Sequence, residues 1–238
     1  MKSIKLKDII ISESENYIFI NKPAGISSLH DWSSETTILS LAKEYCEDPQ
    51  LCHRIDKETS GILAIAKTPE AYRHMSMQFE RRTVDKIYHA VVEGVQDIDP
   101  LQIDRPIHAM SKGKVRIDFD QGKPASTLIK PAEVFQRHTL MHCKPITGRM
   151  HQIRIHLSSL HMPIVADTMY GAEEIYLSDI KKKKFHLKQG TEEQPLIKRF
   201  ALHAFSLTCN ELDGTTHTYE APYPKDFNVL IKQLRKNS

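Results

Sequence analysis

The sequence predicts an α+β domain built on a largely antiparallel sheet. Two observations lead there. Strand-like apolar runs outnumber helical stripes, and several successive runs are joined by tight turns, which suits antiparallel neighbours better than a doubly wound parallel sheet. The 238 residues suffice for one large domain or two small ones with a substantial core.

The elements follow in order. "ENYIFINKPAG" reads as a strand from Tyr17 to Asn21, closed by a Pro-Ala-Gly turn. "GILAIAKT" is apolar on both faces, as a buried strand is. Thr68 then offers an N-cap oxygen, with Pro69 at the first helical position and Glu70 in the first turn. Ala71, Tyr72, Met75 and Phe79 form the stripe of a helix ending near Arg81 and Arg82, where cations suit the helix dipole. "KIYHAVVEG" is the next strand. "KVRIDFD" alternates Val115, Ile117 and Phe119 with charged neighbours and should be half-buried. A turn at Gly122-Lys123-Pro124 leads to strands over Ala125–Lys130 and Val134–Lys144. "GRMHQIRIHLSSLH" reads as a helix with Met150, Ile153, Leu157 and Leu160 on one face and Arg149, Gln152 and His156 on another. Residues 178–198 are polar and charged and read as a long loop. "ALHAFSLTCNELDGTTHTYEA" gives a hairpin around Asp213-Gly214, and "DFNVLIKQLRK" a terminal helix.

Composition excludes several classes. No apolar run is long enough to cross a bilayer, and the N-terminus, with Asp8, Glu13 and Glu15, is not a secretory signal. The four cysteines are scattered without a CxxC pair, which points away from disulfides and zinc and toward a reducing cytoplasm. No GxxxxGK[ST], GxGxxG or Gly-x-Ser-x-Gly occurs. His151 and His156 stand five apart, the wrong interval for one helical face. The net charge of +3 is mild, but cations gather in "FERRTVDK", "SKGKVR", "TGRMHQIRIH", "KKKKFHLK" and "IKQLRKNS", a distribution suited to a phosphate backbone or to a plain solvated surface.

Three residues stand out as candidates for chemistry. Asp56 follows Arg54 and Ile55 in a loop just upstream of the buried strand, where a rigid element can hold a reacting group. Taken alone it reads more readily as a turn cap or as a local partner of Arg54 or Lys57, since loop aspartates are common in turns. Tyr88 has apolar same-face neighbours, Ala90 and Val92, so it is either a core tyrosine or one with its hydroxyl at a cleft. Arg154 lies off the apolar face of its helix, either solvated or paired with a carboxylate whose pKa it lowers.

Several segments together resemble the RluA family of RNA pseudouridine synthases. "HRIDKETSGILAIAKT" is similar to the family's His-Arg-Leu-Asp-x-x-Thr-Ser-Gly motif, with Ile55 for the common leucine. "ENYIFINKPAG" resembles the first motif and "QFERRTVDKIYHAVVEG" the block holding Lys86 and Tyr88. "KPITGRMHQIRIHLSSLHMPIVADTMYG" resembles the third motif, with Met150 in place of a small hydroxyl residue, and "LHAFSLTC" a later strand. The likeness runs from about residue 15 to 227, leaving out the Lys181–Lys184 run within the loop at about 178–198.

The resemblance implies the pseudouridine synthase catalytic fold: a central, mostly antiparallel mixed sheet with flanking helices and loops around an RNA-binding cleft. It implies a single catalytic domain over residues 1–238, with no S4 domain, since the first motif begins near Glu15. The implied activity is isomerisation of uridine to pseudouridine in structured RNA, without a cofactor. Asp56 becomes the essential acid, acting as a nucleophile on sugar or base or by removing a sugar proton to give a glycal. Arg154 becomes its cationic partner, and Tyr88 the tyrosine that stacks on uracil and helps remove the C5 proton. Arg54 holds RNA opened by base flipping; Arg149 and Lys112 are the expected phosphate contacts. The expected partner is an rRNA or tRNA stem-loop, with no membrane and no obligate protein partner, acted on by a cytoplasmic monomer. The rival reading is an inactive RNA-binding or chaperone module of the same fold. It is answered by the retention of Asp56, Tyr88 and Arg154. A nuclease would need a carboxylate cluster that the sequence lacks.

Overall fold

The computed structural model describes residues 4–29, 36–181, 185, 187 and 190–238. The chain begins with β1 (Ile10–Glu13), β2 (Tyr17–Lys22), α1 (Ile38–Lys43), β3 (Gln50–Leu51), β4 (Ser60–Ala66) and α2 (Pro69–Glu80). Next come β5 (Asp85–Glu93), β6 (Leu101–Asp104), β7 (Ile107–Ala109), β8 (Val115–Ile117), β9 (Ser126–Val134) and β10 (His138–Pro145). α3 (Gln152–Ser158), α4 (Leu177–Ile180), β11 (Leu202–Asn210), β12 (Thr216–Glu220) and α5 (Lys225–Lys236) complete it. The residues group into two compact units, Met1–Tyr88 with His203–Pro222, and His89–Leu202 with Tyr223–Ser238. This is the α+β class with mostly antiparallel pairing that the sequence predicts.

In the first unit the strand order is β1-β2-β4-β11, with β3 beside β4 and β12 beside β11. Every residue of β4 is buried, as its two apolar faces require, and Tyr17 to Ile20 of β2 join the same core. β4 runs antiparallel to β2 and parallel to β11. At Gly61, with φ +116°, a Cβ would be driven into the backbone of Ala204, so only glycine permits this approach. α2 starts as expected: Thr68 Oγ1 accepts from the Ala71 N–H at 3.2 Å, with Pro69 following. Ala71 and Met75 face the core, whereas Tyr72 is exposed. The expected hairpin joins β11 to β12, with Gly214 at φ +83°.

In the second unit β5, β10, β9 and β6 are neighbours in that order, and β7 pairs with β8 in a separate ribbon. α5, the expected terminal helix, buries Phe227, Leu230, Ile231 and Leu234. Four expectations need correction. Val134 closes β9 instead of opening β10, because the chain turns at Phe135, whose N–H donates to the His138 carbonyl. Phe119 is not half-buried but 76% exposed, since β8 stops at Ile117. The helix read over "GRMHQIRIHLSSLH" is only the seven residues of α3, bounded by left-handed His151 (φ 52°) and followed by left-handed His161 (φ 60°). Of its expected polar face, Arg149 falls outside α3 and is exposed, while Gln152 and His156 are buried: Gln152 donates to Thr127 Oγ1 and the Ser126 carbonyl, and His156 lies against Thr127 Oγ1 and the Arg105 carbonyl. Finally, the stretch read as a loop over 178–198 contains most of α4 and buries Ile180 and Ile197. Of the lysine run, Lys181 is exposed, and the other three lie outside the described residues.

Candidate active site

The loop between β3 and β4 carries Arg54 and Asp56, and it is pinned at several points. Ile55 is buried, and Ser28 Oγ ties its backbone, donating to the carbonyl at 2.9 Å and accepting from the N–H at 3.3 Å. With Ile55 anchored inward, Arg54 is exposed and Asp56 half-buried. The Thr59 N–H donates back to the Asp56 carbonyl, closing the turn. The Lys57 carbonyl accepts from the Gly25 N–H and from Lys22 Nζ, each at 2.9 Å. Lys22 is fully buried, and its ammonium also donates to the carbonyls of Pro23 (3.0 Å) and Ile26 (2.8 Å). The "NKPAG" turn and the aspartate loop are thus joined through one cation.

His53 sets the loop against the strand it enters. Its Nε2 accepts the Ala64 N–H at 3.1 Å and therefore carries no proton. Burial, with the Lys86 cation nearby, pushes its pKa down to about 3. Its ring packs against Phe79 at 5.1 Å, and Lys86 Nζ lies 5.7 Å from the same ring. Burial lowers the Lys86 pKa as well. Tyr88 packs against this core; burial first, and the Asp56 charge second, raise its hydroxyl well above the ordinary tyrosine range. The first unit therefore brings Asp56 and Tyr88 into electrostatic reach, and the phenol is neutral at physiological pH.

In the second unit Arg154 is buried rather than solvated. Its Nε and Nη2 donate to the two oxygens of Asp167 at 2.7 and 2.8 Å. The guanidinium lies 4.0 Å from the Phe200 ring centroid and 4.9 Å from that of Tyr170. Asp167 sits in a turn whose carbonyl accepts the N–H groups of Tyr170 and Ala172. Tyr170 Oη in turn bonds His151 Nδ1 at 2.8 Å. A planar fork clamped on one edge and covered by rings has little freedom to reorient. Asp167 and Lys22 had no role in the sequence reading. The signals were a carboxylate directly after the apolar "PIVA" and a lysine ending an apolar strand. Both positions bury a charge, and burial is a tertiary fact.

The remaining expected contacts belong to the second unit. Arg149 is exposed, its Nε donating to the Pro124 carbonyl at 3.1 Å. Lys112 falls in a short 3-10 turn, Ser111–Gly113. Among the described residues no group of three or more His, Cys, Asp or Glu side chains could hold a metal ion. No helix among them is long and apolar enough to cross a membrane.

This chemistry has a known setting. The family model for RNA pseudouridylate synthase matches residues 16–159, and the chain belongs to that family. It is 35% identical over 237 residues to ribosomal large subunit pseudouridine synthase D of Neisseria meningitidis serogroup B, covering 95% of this chain and 61% of the relative. It is 33% identical to an uncharacterized RNA pseudouridine synthase of Zymomonas mobilis, covering 95% and 98% respectively. The chain spans about three fifths of the length of the first curated relatives it matches. Among solved structures, human RNA pseudouridylate synthase domain containing 4 superposes with a TM-score of 0.73 at 24% identity, covering 97% of this chain and 94% of that one, a likeness of fold.

Proposed function

We propose that this protein isomerises uridine to pseudouridine in ribosomal or transfer RNA, with Asp56 as the essential carboxylate. The observation that carries the reading is the Asp56 loop. It is anchored at Ile55, Lys57 and His53, and it belongs to the same compact unit as Tyr88. Such preorganisation belongs to a reacting group more than to a turn cap.

The reaction breaks the N1–C1′ bond of uridine, turns the detached uracil and joins C5 to C1′. The C5 proton leaves and N1 gains one, so no electrons are exchanged with an outside partner. Asp56 either attacks as a nucleophile or removes a sugar proton to give a glycal. Tyr88, held protonated, stacks on the base and relays the C5 proton only by passing on its own. Arg154 enters through its motif, as a cation whose fork Asp167 holds in one orientation. Arg54, exposed beside Asp56, suits a contact with RNA whose target base has left the stack. The names of the relatives favour large-subunit rRNA. The same reading has the protein act as a cytoplasmic monomer, without a cofactor or obligate protein partner.

The test uses rRNA and tRNA transcripts labelled with tritium at uridine C5. Release of tritium with matching formation of pseudouridine is expected. A folded protein that binds these RNAs but releases no tritium from any would contradict the proposal.

A further inference from the structure

Phe119 is 76% exposed, more than any other large apolar side chain among the described residues. It is not on a frayed loop. Asp118 Oδ1 accepts the N–H groups of Asp120 and Gln121 at 3.1 and 2.9 Å, and Arg116 Nη2 holds Asp118 Oδ2 at 2.7 Å. The Asp118 N–H donates to the Pro106 carbonyl, and the Asp118 carbonyl accepts from the Gly122 N–H. A Cβ on Gly122 would collide with that carbonyl and with Pro106, so the backbone here is closely packed. The Gln121 N–H, then Arg116, hold the Asp118 carboxyl down to about 2, so the turn keeps its acceptor at any physiological pH. A built turn thus presents an aromatic ring to solvent, forgoing the stabilisation that burying it would contribute.

The surroundings select a partner. Arg116 and Lys123 are exposed at the turn, and Arg149 reaches the adjoining Pro124 carbonyl. The segment from Arg105 to Pro124 has five cations against two carboxylates, an excess equal to the net +3 of the whole chain. A single ring among cations is unlike the charge-depleted core of a protein interface. It matches the pairing of aromatic platform and basic groove that holds unpaired nucleic acid.

We propose that Phe119 is an RNA-contact residue, stacking on an unpaired nucleobase of the bound RNA while Lys123 and Arg149 hold neighbouring phosphates. This rests on the proposed RNA substrate and adds to it a contact outside the chemistry.

The test compares the parent with Phe119→Ala and Phe119→Trp. The probes are a short RNA hairpin with an unpaired loop and a blunt duplex of the same stem, followed by anisotropy. Phe119→Ala should bind the hairpin about tenfold more weakly and the duplex unchanged, while Phe119→Trp restores the affinity. The fluorescence added by the new indole should be quenched by the hairpin and not by the duplex. Equal hairpin affinity in parent and Phe119→Ala, or an equal loss on both probes, would overturn the proposal. So would a parental dimer that Phe119→Ala dissociates, which would make the ring a protein contact. If the parent releases tritium but Phe119→Ala binds normally, only this inference fails. If the parent neither binds nor isomerises RNA, the underlying function fails with it.

Discussion

Single buried charges decide how firmly the aspartate loop is held. Lys22 keeps its ammonium inside the protein by donating to three carbonyls, so Lys22→Met leaves those acceptors buried with lost partners. Each such loss costs about 1–3 kcal/mol, and a loss of at least about 2 kcal/mol is expected in urea unfolding; an unchanged midpoint would contradict the arrangement. His53 gives a pH signature. Its pKa lies near 3 in the folded chain, below the ordinary 6.5 expected when unfolded. Between those values the unfolded state binds the extra proton, so stability falls as pH drops through 6.5 toward 3. The share from His53 is about 2 kcal/mol between pH 7 and pH 5. His53→Gln keeps an acceptor for the Ala64 N–H and has no such proton, so its stability should fall less steeply over that range. Parallel curves for parent and variant would refute a neutral His53.

At the scale of elements, the close approach of β4 and β11 depends on one position. Gly61→Ala places a methyl against the Ala204 backbone in a left-handed conformation, and should cost about 3 kcal/mol or more. A thermal midpoint equal to the parent's would show that the two strands do not meet as described. The sequence made β4 legible, because a run apolar on both faces has few alternatives to a buried strand. It made α2 legible through Thr68-Pro69, and α5 through the segment "DFNVLIKQLRK". α3 was not legible in full. Its flanks carry the same periodicity as its centre, and the left-handed His151 and His161 that bound it have no marker such as glycine. Phe119 misled for a related reason: alternation says which face a residue takes only while the strand continues. Asp56, Tyr88 and Arg154 were singled out by motif, but the partner that clamps Arg154 was not, because Asp167 meets it only through the fold.

For the whole molecule, a small net charge conceals local excess, and RNA affinity should report the local figure. Binding to a stem-loop should weaken with salt, and Arg149→Ala should lower the salt slope by about 1 without changing the fold. Affinity that is flat between low and moderate salt would argue against a polyanionic substrate. Whether the family's fold is used here for catalysis turns on one carboxylate. Asp56→Asn keeps the shape of the side chain and the backbone bonds around Ile55 and Lys57, and removes the ionised oxygen. The decisive measurement is tritium release from C5-labelled RNA by purified parent and Asp56→Asn, with circular dichroism and RNA binding followed in parallel. An essential Asp56 carboxylate requires turnover by the parent and none by a variant that folds and binds RNA normally. Release by the folded variant at a rate near the parent's would contradict it.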